Sequence, residues 1–421
     1  MESVKSVQVF SVMEQGASHR EKNLPLQDHA FSEKEMFVSE KYTGEYAIAA
    51  ISDGHGSPQY FRSKQGAEFA CQAVKDVFCT FMENAKHLTD NNKLIIKRLI
   101  YEKWHDLVIN DIEKNPITDE ELEKLEKISR NSDTEKEKNN LFKYVSFYRK
   151  ENSIFTTYKF SVKKIKGIEE KIQGGTLSKK EQESFGEYYK KFQEASNVLL
   201  KIYGCTLAAV LSCDAYTFAL QIGDGSCVAF YDDGTCNIPI DEDKKSMANQ
   251  TSSLCSPSPK HEDCRIYVFE KRPVAVFVTS DGIDDTYGRG ESLFNFYRTL
   301  CVNFAEKGIG FRDDLQKNLC NISSRGSKND ISVSGIYDEK KLVSLKEVIR
   351  KRWEQGRYRA ELNELKDKEF GVSEYSLNAA ETNVKNQEKI VNDIKEEINK
   401  KKSENIKLSM ETDRCKDELS Y

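Results

Sequence analysis

Apolar residues along this chain fall into two kinds of pattern. Alternating or continuous runs rich in Val, Ile, Phe and Ala occupy two blocks. The first holds VQVFSVM and YAIAAIS, before residue 55. The second holds CTLAAVL, AYTFALQI, SCVAFYDDG, RIYVFE, VAVFVTS and ISVSGIY, between residues 205 and 337. Short runs of this composition, bounded by turn residues, predict strands. Helical spacing of apolar positions takes over at 63–82 and 91–114 behind the first block, and at 291–307 and 311–320 inside the second. Strand, strand, helix, helix repeated in two halves predicts an α+β layered architecture, antiparallel sheets covered by helices.

Two stretches break this pattern. Residues 112–200 are polar and Lys/Glu-rich, as in DEELEKLEKISRNSDTEKEKNN. A solvated helical excursion or a partly disordered loop fits this composition better than a dedicated partner site does. From Glu339 onward the chain is again charged and helical, with Gly371 as its one obvious interruption. Leu377, Val384, Val391 and Ile398 fall seven apart, with Ile394 and Leu408 on the companion seam and Gln387 and Lys401 spoiling it. A coiled-coil homodimer, a helix packed on the body and a solvated tail all remain open.

Composition narrows the function. In the 421 residues, 64 basic and 69 acidic side chains leave a net charge of −5, which gives no basic footprint for nucleic acid. Apolar runs such as VAVFV stop far short of the roughly 20 residues needed to cross a bilayer, so no membrane crossing is expected. The N-terminus does not resemble a secretion leader. Eleven cysteines without a CxxC pair, and six dispersed histidines, point to reduced thiols and a cytoplasmic compartment rather than disulfides or zinc.

The chemistry lies where strands end. Asp28 follows GASHREKNLPLQ, Asp53 ends AIAAIS, Asp224 ends AYTFALQIG, Asp281 ends VAVFVTS, and Asp330 precedes ISVSGI. If those strands share one pair of sheets, their ends converge on one edge, and the gathered negative charges call for a cation. An all-oxygen site suits Mg²⁺ or Mn²⁺ rather than zinc. Gly54, Gly223, Gly225 and Gly282 flank the acids and let backbone approach a metal. An isolated Asp-Gly is usually an ordinary turn; the ordered set carries the information.

The order QD, SDGHGS, YGCTLAAVL, QIGDGS, TSDGIDDTYG and KNDISVSGI resembles the protein phosphatase 2C family, metal-dependent serine/threonine phosphatases, and its bacterial branch in particular. The similarity covers residues 1–84 and 201–338, leaving the insertion and the tail outside it. It implies a four-layer α/β/β/α sandwich with a two-metal centre at one end, within a catalytic domain spanning 1–338 and followed by a helical or coiled-coil region at 339–421. By resemblance, Asp53 bridges two metals and the Gly54 carbonyl binds the first. Asp281 binds the second, and Asp28 acts on it directly or through water. Asp224 helps Asp281 hold a weaker third ion, His55 is the general acid, and 238–263 is a flap beside the site.

The match departs from the family pattern at two places. The family's phosphate-gripping arginine lies four or five residues before the first motif acid, whereas Arg20 lies eight before Asp28, so Arg20, His19 and Arg62 all compete for that role. The last motif begins with a ligand Asp in the family, whereas KNDIS puts Asn329 there and Asp330 next. A one-residue slip bringing Asp330 inward would keep the charge balance, and Asp330 is the favoured ligand. The function implied is Mg²⁺- or Mn²⁺-dependent hydrolysis of phosphoserine or phosphothreonine in proteins by an activated water, opposing a cytosolic kinase. The second reading is a catalytically weak phosphatase fold serving as a scaffold or phosphoprotein-binding module, motivated by Asn329, the displaced arginine and the insertion.

Overall fold

The computed structural model describes residues 7–38, 40, 43–84, 88–131, 153–173, 176, 178–243, 251–256, 263–367 and 374–418. In chain order the elements are β1 (Val7–Glu14), α1 (Ala17–Glu21), β2 (His29–Val38), β3 (Thr43–Ser52), α2 (Ser63–Asn84), α3 (Asp90–Lys114) and α4 (Asp119–Asn131). Next come α5 (Ser153–Gln173), α6 (Lys179–Lys201), β4 (Leu207–Cys213), β5 (Thr217–Ile222), β6 (Ser226–Phe230), β7 (Cys236–Asn237), β8 (Arg265–Phe269) and β9 (Ala275–Thr279). The chain then runs through α7 (Asp281–Tyr287), α8 (Glu291–Lys307), α9 (Phe311–Arg325), β10 (Ile331–Asp338), α10 (Glu339–Asp367) and α11 (Glu374–Glu418).

The strands pair into two antiparallel five-stranded sheets, ordered β1-β10-β9-β6-β7 and β2-β3-β4-β5-β8. Alternation along each strand divides its side chains between two buried faces. In β3, Ala47, Ala49 and Ile51 face the opposite sheet, while Tyr46, Ile48 and Ala50 face helices. The inner layer is rich in small residues, Ala208, Ala219, Cys227 and Ala229 among them, which lets the sheets stack closely. Because both faces are buried, these strands read as continuous apolar runs. β2 is an edge strand and carries Ser32, Glu33, Lys34 and Glu35, which hid it from a search for apolar runs.

Helices complete the four layers. On the β2-to-β8 sheet, α2 and α3 bring Val74, Phe78, Ile100 and Trp104, whose indole N–H donates to the Gly66 carbonyl at 3.0 Å. On the other sheet, α8, α9 and α10 bring Tyr297, Phe304, Leu319, Leu342, Leu345 and Ile349. The layer past residue 338 is thus continuous with the sandwich core. α11 lies along α10, with Arg359 paired to Glu388 at 2.6 Å, and its heptad residues Val391 and Ile398 turn toward the body. Where described, this helix is packed on the body at those two positions.

The charged insertion is helical where it is described; residues 132–152 of it lie outside the described set. α5 and α6 form a hairpin docked on α3 through Tyr158, Phe192 and His105. No described helix is long and apolar enough to cross a membrane. The described cysteines are free thiols.

Candidate metal centre

Strand register explains why distant acids meet. β2 starts where β3 ends (His29 opposite Ser52), β4 starts where β5 ends (Leu207 opposite Ile222), and β6 and β9 meet at Ser226 and Thr279. β10 starts opposite the end of β1 (Glu14 opposite Ile331). Asp28, Asp53, Asp224, Asp281 and Asp330 are each within two residues of one of these termini. All five therefore stand at the same end of the sandwich.

Asp53 leaves β3 clasped by Thr206, whose N–H donates to the Asp53 carbonyl at 2.8 Å and whose hydroxyl accepts from the Asp53 N–H at 3.2 Å. Gly54 then bridges Cys205 in an antiparallel pair whose hydrogen bonds are made by its neighbours, Asp53 and His55, so its own carbonyl stays outside that ladder. A Cβ at residue 54 would lie 2.7 Å from the Gln27 carbonyl oxygen and 2.9 Å from that of Ser63, so only glycine fits. Asp224 sits in the β5–β6 turn after Gly223, whose φ of +103° favours glycine, and its Oδ2 accepts from the Thr251 hydroxyl at 2.6 Å. Thr251 to Leu254 of the expected flap are thereby tied to the site. Residues 244–250 and 257–262 of the flap lie outside the described set.

The acids burden one another. Asp28 is 2% exposed and neither of its carboxylate oxygens has a hydrogen-bond partner. Burial first, then Asp330, push its carboxyl up to about 7, while the Ser280 and Ser332 hydroxyls pull it down without closing a hydrogen bond of normal geometry. Burial, Asp28 and Asp281 hold Asp53 well above the ordinary carboxylate range, and Asp281 is raised to about 6 by burial, tempered by Asp53. Desolvated carboxyls in such company are costly unless protonated or faced by a cation. Among the described residues no three His, Cys, Asp or Glu side chains form a ready-made cage. A hard cation that keeps several waters takes few carboxylates and needs no such cage. Carboxylate, amide and carbonyl oxygens are the groups present at this end, and such a set would suit Mg²⁺ or Mn²⁺.

The last motif is divided between two tasks. Asn329 Nδ2 donates to Asp281 Oδ1 at 3.2 Å, whereas Asp330 accepts the Gly16 N–H on Oδ1 at 2.6 Å and the Gln27 N–H on Oδ2 at 2.7 Å. His19 Nδ1 lies 2.9 Å from the same Oδ1, and this contact with Asp330 raises the imidazole pKa. Asp330 thus braces both ends of the 16–27 loop that delivers Asp28.

Neither candidate arginine faces the acids with a free fork. Arg20 Nη1 donates to Glu14 at 2.7 Å and to the Gln15 carbonyl at 2.5 Å. Arg62 is 7% exposed and spends its N–H donors on Glu121, Tyr203 and the carbonyls of Asn115 and Pro116. His55 packs edge-on against Tyr60, ring centroids 4.8 Å apart, and burial lowers its pKa to about 4 against the pull of Asp224. The ring is uncharged at neutral pH in this setting.

Sequence reading missed Asp285. Burial and Asp224 raise its carboxyl, and it in turn raises Asp281. The signal was present in DGIDD, since residues four apart share a helix face once α7 is known to start at Asp281.

Two antiparallel sheets between helical layers, with acids gathered at one end, make a fold that can hold hard cations at the strand ends. The family model described as Protein phosphatase 2C matches residues 15–320, and the chain belongs to that family of Mg²⁺- or Mn²⁺-dependent protein phosphatases. Similar solved structures include the catalytic domain of the serine/threonine phosphatase PstP in complex with two manganese ions (11% identity, 79% of this chain and 97% of that chain, TM-score 0.37). Others are the S. agalactiae serine/threonine phosphatase (12%, 79% and 99%, TM-score 0.37) and Stp1 from Staphylococcus aureus (11%, 80% and 97%, TM-score 0.37). No curated protein matches the chain.

Proposed function

We propose that this chain removes phosphate from phosphoserine or phosphothreonine in protein substrates, and that Asp28, Asp53, Asp224, Asp281, Asn329 and the Gly54 carbonyl hold its metals. The observation carrying this reading is the mutual burden of Asp28, Asp53 and Asp281, buried acids whose charge a cation would relieve. When bound, two divalent ions supply charge neutralisation at the phosphoryl oxygens and a more acidic water.

The chain's own residues orient and move protons. Asp53, on which Asp28, Asp281 and Asp224 all act, would be the acid best placed to serve more than one ion. Asn329 contributes an amide oxygen without charge, and Asp330 acts one step removed, by holding the loop that carries Asp28. His55 stands two residues beyond Asp53, beside Tyr60, where it can hand a proton to the departing alkoxide. The imidazole is uncharged before it acts, so it takes that proton up from solvent, and the proton of the attacking water leaves to solvent in turn. Phosphoprotein substrates imply a kinase that makes them, and the proposed partner is a cytosolic serine/threonine kinase.

Hydrolysis of a phosphothreonyl peptide with and without Mn²⁺ tests the reading. Turnover should require the metal and disappear in Asp281→Ala. Full turnover in excess chelator would overturn it. Binding of the peptide without turnover in saturating Mn²⁺ would favour the scaffold reading instead.

A further inference from the structure

The insertion at 112–200 lies outside the family motifs, yet its first turn closes over a buried arginine that adjoins the catalytic loop. Resting on the proposed role of His55, we propose that the α3–α4 corner is a clamp: Arg62, Glu121 and Tyr203 act as positioning residues that hold His55 in its working place.

Four contacts zip the loop from Asp53 to Arg62 onto the single segment 202–206. Thr206 N–H donates to the Asp53 carbonyl at 2.8 Å, Gly54 bridges Cys205, His55 N–H donates to the Gly204 carbonyl at 3.0 Å, and Arg62 N–H donates to the Ile202 carbonyl at 3.0 Å. Gly204 leaves room for the rings, since a Cβ there would lie 2.6 Å from Tyr60 and 2.8 Å from His55. The backbone sets the register of the loop on this segment, and the Arg62 side chain locks its far end against the α3–α4 corner.

All five N–H donors of that guanidinium are used. Nε and Nη2 form a fork on the two Glu121 oxygens at 2.8 and 2.9 Å. Nη1 reaches the Asn115 carbonyl and the Tyr203 hydroxyl, both at 2.8 Å, and Nη2 also reaches the Pro116 carbonyl at 3.2 Å. Tyr203, fully buried, donates its own hydroxyl hydrogen bond to Asp111 Oδ2 at 2.5 Å. Glu121 is itself built in: its Oε2 accepts from the Thr118 N–H at 2.8 Å, and its N–H donates to the Thr118 hydroxyl at 3.2 Å, capping α4. A bidentate, buried and fully satisfied arginine has one geometry, which a surface pair does not. The core side supplies the cation and the insertion supplies the anion.

Leaving-group dependence in the full chain tests the clamp. p-Nitrophenolate departs without a proton, whereas phenolate needs one, so a displaced His55 harms phenyl phosphate selectively. In Glu121→Gln, kcat for phenyl phosphate should fall on the order of 10²-fold, while kcat for p-nitrophenyl phosphate and the Mn²⁺ half-saturation stay within about three-fold. Equal losses on both substrates, or no loss, would overturn the clamp. The double variant Arg62→Met with Glu121→Leu removes both members of the fork, so that neither charge is left without its partner, and guards against simple unfolding; it should still unfold in one thermal transition and keep the selective defect. His55→Ala separates the two ideas. If it shows the selectivity and Glu121→Gln does not, the clamp alone fails; if His55→Ala lacks it, the role given to His55 fails and the clamp with it.

Discussion

Asn329 Nδ2 donates to Asp281 Oδ1 across 3.2 Å, while the adjacent Asp330 turns its carboxylate to the Gly16 and Gln27 backbone. The neutral residue turns to Asp281, while the charged one, whose charge also weighs on Asp28, spends its oxygens on the loop. Replacing Asn329 by Asp adds a negative ligand without changing size, so the Mn²⁺ half-saturation of turnover should fall about ten-fold. Asp330→Ala should instead destabilise the fold by about 3 kcal/mol, because two N–H groups lose their acceptor. Metal titration of activity and thermal unfolding distinguish the two effects.

Metal binding should release protons. Asp28 at about 7, Asp281 at about 6 and Asp53 well raised all lie above their unfolded values, so the fold prefers these groups protonated. For the metal-free protein, that contribution is fully present below about pH 4 and is lost as pH rises through 6 to 7. A divalent ion binds the deprotonated forms and reverses the loss. The rise in Tm on adding millimolar Mn²⁺ should be greater at about pH 7.5 than at about pH 5.5, with proton release measurable in weakly buffered solution.

Gly54 has no space for a side chain. Gly54→Ala would press a methyl against the Gln27 and Ser63 carbonyls at 2.7 and 2.9 Å. The loop must shift, at a cost of about 1 to 3 kcal/mol, and Asp53 moves with it. Loss of Mn²⁺-dependent turnover with only a modest drop in Tm is the expected result.

The region after residue 338 should not be separable at that point. Leu342, Leu345 and Ile349 of α10 are buried in the core of the β1-to-β7 sheet. Exposing them costs roughly 1.5 to 3 kcal/mol each, a large share of typical domain stability. Chains ending at Asp338 should aggregate or melt far lower, whereas chains ending at Asp367 should keep most of the Tm.

Most of the architecture was legible because the strands are buried on both faces and therefore read as apolar runs. VAVFVTS and YAIAAIS are examples, and helix 291–307 was read to its observed ends. The polar edge strand β2 was not, since its outward residues avoid the apolar pattern. The acids were legible as a set because each ends a strand. What Asp330 and Arg62 do was not, because their partners lie far away in sequence: Gly16 is 314 residues from Asp330, and Glu121 is 59 from Arg62. Such pairing is fixed by strand register and helix packing, which a local pattern does not encode.

The proposed metal centre gathers acids from separate strand ends around Asp53. Calorimetric titration of Mn²⁺ into the full chain at neutral pH tests it most directly, with Asp53→Asn titrated in parallel. The account predicts at least two binding events in the wild type and their loss in the variant. No binding heat at millimolar Mn²⁺, or equal binding by Asp53→Asn, would contradict it.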